Sequence, residues 1–200
     1  MGTPDPVRRS ERARTAVLES TIDLCRADGF ARMTIEGIAE RAGVSKKTIY
    51  RWWSSKGEVL LEALAGRAEI AAAFPDSGDL VRDMCAQTMS VVELLSPQET
   101  SPYASLVAEG QRDPALSAAI RTRLVDPFIA RFDERMHSAV AARELPASVD
   151  LGVAVDLFYG PIYHRLVFGL GLPDGPQLET RVRHVVAALR SGGVPRPPAG

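Results

Sequence analysis

Residues 34–56, TIEGIAERAGVSKKTIYRWWSSK, constrain this chain more than any other stretch. Ala39, Gly43 and Ile49 stand at the spacing that two short crossed helices need. Thr34 suits an N-cap, because its hydroxyl accepts a hydrogen bond from a first-turn amide that otherwise has no partner. The helix it opens carries Ile35, Ile38, Ala39 and Ala42 on its inner side. Ala39 is small, so a second helix can come close. Gly43 can take the left-handed conformation that closes a helix. Val44 plugs the corner and Ser45 caps the next helix. Ile49, Trp52 and Trp53 face back into a small core. This layout is a helix-turn-helix.

The outer side of the second helix is polar. Lys46, Lys47 and Lys56 are the only lysines of the chain, and all fall in this stretch. Lys47 and Arg51 sit about opposite Ile49, one turn apart, and are best placed to reach base edges in a major groove. Thr48 and Tyr50 flank them with hydroxyls suited to phosphate oxygens. Lys56 opens the following helix, whose first amides already favour an anion. A solvated basic turn with no partner is the plainer reading of the same residues.

The run IAERAGVSKKTIYRWWSSKGEVL resembles the N-terminal domain of TetR-family transcriptional regulators. The shared elements are an IA pair, AGVS, the TIY triplet, an aromatic three residues after the tyrosine (Trp53) and a lysine opening the next helix. The likeness covers roughly residues 10–65, and ARELPASVDLGVAVDLFYGPIYHRLVFG is more diffusely similar to the eighth-helix region of many members. The resemblance implies base reading by Lys46, Lys47 and Arg51. It implies sugar-phosphate contacts by Thr34, Thr48, Tyr50, Trp52 and Lys56. Trp52 is bulkier than the side chain common at its position. Glu36 would repel a phosphate and is expected to pair with Arg32 or Arg41.

Charge supports the same reading without the family. The chain carries a formal net charge of −1. Residues 1–60 hold eleven Lys and Arg against eight Asp and Glu, whereas residues 61–200 hold thirteen against seventeen. A basic N-terminal portion on an acidic body is the asymmetry expected of a DNA reader with a regulatory domain.

The pattern predicts an all-α chain of about nine helices: an N-terminal three-helix reader followed by a larger helical regulatory and dimerisation domain. Residues 1–9 read as a disordered arm, 10–55 as the helix-turn-helix domain, 56–191 as the regulatory domain and 192–200 as a disordered tail. Pro127 should kink or break a long helical pattern, and Gly160-Pro161 should bend another. Cys25 and Cys85 read as small core residues. The three histidines have no metal-ligand spacing, so neither metal nor cofactor is expected. No catalytic arrangement or phosphate loop stands out, which argues against an enzyme. No apolar run of 18 residues and no secretory leader is present, so a cytoplasmic protein without membrane contact is expected.

The helices expected over about 148–170 and 175–191 are apolar on more than one face, and the surplus needs a partner. Leu151, Val155, Ile162, Leu166, Val182, Val185 and Leu189 are the expected dimer contacts, since in TetR regulators these two helices form a four-helix bundle with the second subunit. A two-sided buried helix in a monomer is the alternative. Met84, Thr88, Met89, Tyr103, Phe128, Phe132, Phe158 and Tyr159 are candidates to line a pocket for a small lipophilic effector, with Glu109, Asp156, Tyr163 or His164 as polar handles. The resemblance thus implies a ligand-responsive repressor that binds a palindromic operator in double-stranded DNA as a homodimer and is released by its effector. The alternative is a DNA-binding dimer without a ligand, acting through a protein partner.

Overall fold

The computed structural model describes residues 6–71 and 74–191. Residues 1–5 of the expected arm and the expected tail 192–200 lie outside them. The described chain is helical and contains no strand. In order, the elements are α1 (Pro6–Asp28), α2 (Ile35–Ala42), α3 (Lys46–Tyr50), α4 (Lys56–Ala71), α5 (Leu80–Leu94), α6 (Pro102–Gly110), α7 (Pro114–Ile120), a π-helical turn (Arg121–Val125), α8 (Asp126–Ala141), α9 (Leu151–Val167) and α10 (Gly175–Arg190). Because α7, the π turn and α8 follow one another without a gap, the described residues form nine helical rods. Residues 6–9, expected in the arm, instead form the start of α1. Pro6 fits there, since a first-turn residue needs no amide donor.

Two compact units divide the chain. One comprises residues 1–70 and 95–124, the other 71–94 and 125–200. The expected boundary at 55/56 is therefore displaced, and packing explains why. Leu60, Leu61 and Leu64 of α4 share one apolar cluster with Ile38, Ile49 and Trp53 of the helix-turn-helix, and Leu106 and Leu116 complete it. Val17, Cys25, Ile38, Ile49, Val59, Leu60 and Leu61 are wholly buried there. Without α4 and the 95–124 segment that surface would face water, at a cost of roughly 25 cal/mol for each Å² exposed.

Pro127 does not break its helix. The segment Arg121–Val125, which ends two residues ahead of it, widens into the π turn, which accommodates a proline that cannot donate to the preceding turn. Pro161 likewise sits inside α9, which runs through it.

In the second unit, α5 packs on α9 and α10, and α8 packs on α9. Leu80, Met84, Phe132, Met136, Ile162 and Val186 form its buried centre. Arg135 of α8 is buried among three carboxylates. It pairs with Asp83 at 2.7 Å, Glu144 at 3.1 Å and Asp76 at 3.5 Å. Glu144 also accepts from the amide of Leu80 at 2.7 Å, and Asp83 accepts from the amide and hydroxyl of Ser77. The network therefore ties the start of α5 to α8 and to the turn after it. Burial opposes ionisation of Asp83, but hydrogen bonds from Ser77 and Arg135 hold its carboxyl below the usual range.

Candidate nucleic-acid interface and regulatory core

The helix-turn-helix forms as its capping residues dictate. Thr34 accepts from the amide of Gly37 at 3.0 Å, and Ser45 accepts from that of Thr48 at 3.1 Å. Gly43 has φ +67, the left-handed region that favours glycine, and its amide and that of Val44 bond back to Glu40 and Ala39. Ile49 is fully buried, which turns the opposite side of α3 to solvent.

On that outer side, Lys47 is exposed and, among the described residues, makes no ion pair. Tyr50 is 55% exposed. Arg51 stacks its guanidinium over the Trp52 ring, 4.8 Å from the centroid, which holds the fork beside the recognition face. Thr48 shares a hydroxyl hydrogen bond with Ser45 at 2.9 Å. Thr34 uses its oxygen as the cap acceptor, so its proton remains available to an outside oxygen.

Three expectations change here. Lys46 pairs with Glu36 at 2.8 Å, so Glu36 pairs with neither Arg32 nor Arg41. Arg41 instead pairs with Asp23, and Arg32 donates to the carbonyl of Asp28. Both members of the Lys46–Glu36 pair are exposed, and such pairs contribute little and exchange readily for a phosphate. Trp52 packs on the core, edge-on to Trp53 at 5.3 Å, as its helical spacing suggests, where the family resemblance had implied a sugar-phosphate contact. Its bulk makes it a platform for Arg51.

Lys56 is the third. Its ammonium donates to the carbonyls of Phe30 at 2.8 Å and Met33 at 2.9 Å and lies over the Phe30 ring at 4.4 Å. It thus ties the α1–α2 turn to the first turn of α4, rather than projecting toward a phosphate.

Sequence reasoning missed the support beneath this face. Trp53 donates its indole N–H to Glu62 of α4 at 3.0 Å, and Glu62 pairs with Arg14 of α1 at 2.7 Å. The signal was available only as an acid, Glu62, set among the leucines of α4.

In the second unit the structure brings Phe128, Phe132, Phe158 and Tyr159 together. Phe128 and Tyr159 meet edge to face at 4.9 Å, and Phe132 lies 6.1 Å from both Phe158 and Tyr159. Phe74, not foreseen, joins at 5.4 Å from Phe128. Met84 and Thr88 occupy the buried face of α5, but the Thr88 hydroxyl is taken by the carbonyl of Met84 at 2.6 Å. Two candidates stand elsewhere. Met89 lies beside the first turn of α10, its methyl 3.6 Å from where a Gly175 Cβ would stand. Tyr103 belongs to the first unit, where its hydroxyl donates to the carbonyl of Leu64 at 3.0 Å. The polar group inside the aromatic set is none of the expected handles. It is Gln87, whose side-chain carbonyl accepts from the Tyr159 hydroxyl.

The expected dimer contacts are largely internal. Ile162, Leu166, Val182 and Leu189 are buried in the second unit, while Leu151, Val155 and Val185 are half-buried. The outward apolar stripe of α9 is instead Val153, Leu157, Gly160 and Val167, continued by Phe168. Phe168 is 68% exposed, and a Cβ on Gly160 would meet nothing within 4 Å.

Cys25 is fully buried, whereas Cys85 is only half-buried; burial raises the pKa of both thiols. No cluster of metal-ligating side chains occurs among the described residues.

Comparison with known proteins places this architecture. The family model for bacterial regulatory proteins of the tetR family matches residues 17–63, and that for the tetracyclin repressor-like C-terminal domain matches residues 74–188. The chain belongs to the TetR family of transcriptional regulators. It is 34% identical over 159 residues to the HTH-type transcriptional regulator YdeS of Bacillus subtilis, covering 80% of each chain. It is 32% identical over 169 residues to the DNA-binding transcriptional repressor TetR of Mycobacteroides abscessus, covering 84% of this chain and 89% of the relative. The crystal structure of the TetR family regulator SCO0332 superposes with a TM-score of 0.73 at 30% identity, covering 92% of this chain and all of that one. TetR regulators control transcription and are not enzymes. The N-terminal TetR match contains every residue from Thr34 to Lys56, so the outer face of α3 lies in the family's DNA-binding domain. The C-terminal match spans the aromatic set and the exposed stripe of α9. Among the described residues no helix is long and apolar enough to cross a membrane.

Proposed function

We propose that this TetR regulator is a homodimeric repressor that reads a palindromic operator and leaves it when a small lipophilic effector binds in its second unit. The observation that carries this reading is the outer face of α3. Lys47 is exposed and Arg51 is braced on Trp52, beside the hydroxyls of Thr48 and Tyr50. Guanidinium and ammonium donors suit the acceptors of guanine in a major groove, and the hydroxyls suit the flanking phosphates.

One five-residue helix reads few base pairs. Two of them, related by a two-fold axis, read half-sites separated by roughly 34–36 Å, one helical turn. The Val153, Leu157, Gly160, Val167 stripe supports an isologous interface, since it is apolar, exposed and opens at a glycine that admits a close second helix. Repression is supported by the relative from Mycobacteroides abscessus, whose name is that of a repressor. An effector acts only through its different affinity for the DNA-competent and released states. A cytoplasmic location follows from the role on DNA.

A thermal-shift screen of apolar compounds, followed by operator release measured by fluorescence anisotropy, tests the effector reading. A compound that raises the melting temperature and frees the operator supports it. If compounds of every polarity leave both unchanged, the chain acts without a small effector.

A further inference from the structure

The aromatic set of the second unit contains one polar group whose hydrogen bonding is incomplete. Gln87 projects from the buried face of α5 and is 1% exposed. Its carbonyl accepts from the hydroxyl of Tyr159, itself 5% exposed. Its Nε2 is buried and has no hydrogen-bond partner among the described residues. A buried donor left without an acceptor is costly, and native interiors rarely keep one without a use.

The surroundings define what could satisfy it. Phe128 and Phe132 stand edge to face against Tyr159, and Phe74 and Phe158 extend the aromatic surface. Rings in such arrangements offer faces and edges to a flat guest. A charged guest would have to be desolvated among these rings, and Arg135, the buried cation of this unit, is held by Asp83 and Glu144, with its Nη1 a second donor that lacks a partner among the described residues. Burial keeps the Tyr159 phenol protonated well past neutral pH, and it donates to Gln87. The aromatic set therefore offers both N–H groups of the Gln87 Nε2 as unpaired donors.

We infer that the Gln87 amide, oriented by Tyr159, is the polar anchor of the effector site, and that the effector is an uncharged, flat aromatic compound presenting a hydrogen-bond acceptor such as a ring carbonyl. This rests on the effector reading above and specifies its chemistry. Gln87 is a specificity-determining residue in it, and Tyr159 a positioning residue that fixes which end of the amide points into the set.

Three planar tricyclic compounds of nearly equal size separate the possibilities: 9-fluorenone carries an acceptor, carbazole carries only a donor, and fluorene carries neither. Binding to the full chain is measured by calorimetry for the wild type, Gln87→Leu and Tyr159→Phe. The wild type is expected to bind fluorenone at least tenfold more tightly than fluorene or carbazole. Gln87→Leu should lose that preference while still binding fluorene, which shows that the variant remains folded and its site intact. Tyr159→Phe should narrow the preference without removing fluorene binding. Carbazole binding most tightly, equal affinities in the wild type, or a preference that survives in Gln87→Leu would overturn the assignment of the anchor. No binding of any of the three would overturn the site itself. The effector reading fails differently, when compounds bind with the expected preference and yet leave operator affinity unchanged.

Discussion

Replacing Lys56 by methionine separates two roles open to a lysine at the start of α4. Methionine keeps the length of the side chain and removes its charge and donors. In the structure the ammonium donates to the carbonyls of Phe30 and Met33 at 2.8 and 2.9 Å, with a third, longer approach to Ala31 at 3.5 Å. Hydrogen bonds involving a charged group contribute about 1.5–3 kcal/mol each. The lysine is only half-buried, so water can reach the carbonyls in the variant and recover part of that. Two bonds at the low end, less that recovery, plus about 0.5–1 kcal/mol for the cation over the Phe30 ring, give a loss of about 2–3 kcal/mol. For a chain of this size that lowers the melting temperature by roughly 4–12 °C. Circular dichroism melting measures it. Operator binding is then titrated against salt at a temperature where both proteins are folded. The slope of log affinity against log salt should be unchanged, because Lys56 neutralises no phosphate. A melting temperature within a degree of wild type, together with a slope lower by about one per subunit, would refute the reasoning and return Lys56 to the phosphate contacts.

Other outcomes follow from the same structure. Lys47→Ala and Arg51→Ala should each cost about 1–3 kcal/mol of operator affinity and relax preference at one base pair per half-site, read by titration across operator variants; equal losses on every sequence would make the residue a phosphate contact. Asp83 has a folded-state pKa below its ordinary value of 3.8, so its contribution to stability is present above that value and lost as pH falls through the depressed one. Asp83→Asn should therefore melt lower at neutral pH and show a flatter acid limb than wild type, and identical acid limbs would exclude the residue. Leu157→Glu, on the exposed stripe of α9, should yield a folded monomer by light scattering and weaken operator binding; a stable dimer would place the interface elsewhere.

What was legible in the sequence was local. Thr34, Gly43 and Ser45 act within three or four residues of themselves, and the structure gives each the role its type suggests. Ile49 and Trp53 were likewise placed in the core by helical spacing alone. The Lys56 carbonyl contacts span more than twenty residues, and nothing in a helix-start lysine reports them. Helix α9 shows the limit of periodicity. Both Ile162 and Leu157 lie on apolar stripes, and only the packing of α5, α8 and α10 decides that the first is covered and the second is not. Two signals were available and passed over. Asp83 and Gln87 interrupt the apolar face of α5 between Leu80 and Val91, and polar residues in such a stripe are buried with partners or for a purpose. The unit boundary escaped because α4 is apolar on the side that meets residues 95–124, a contact between segments far apart in sequence.

The most direct measurement is selection of bound duplexes from a random DNA pool by the purified full chain, with the Lys47→Ala, Arg51→Ala double variant run in parallel. The account predicts enrichment of an inverted repeat whose half-sites are centred about one helical turn apart, roughly 34–36 Å, and no enrichment by the variant. A single asymmetric site, or the same motif selected by the double variant, would contradict it.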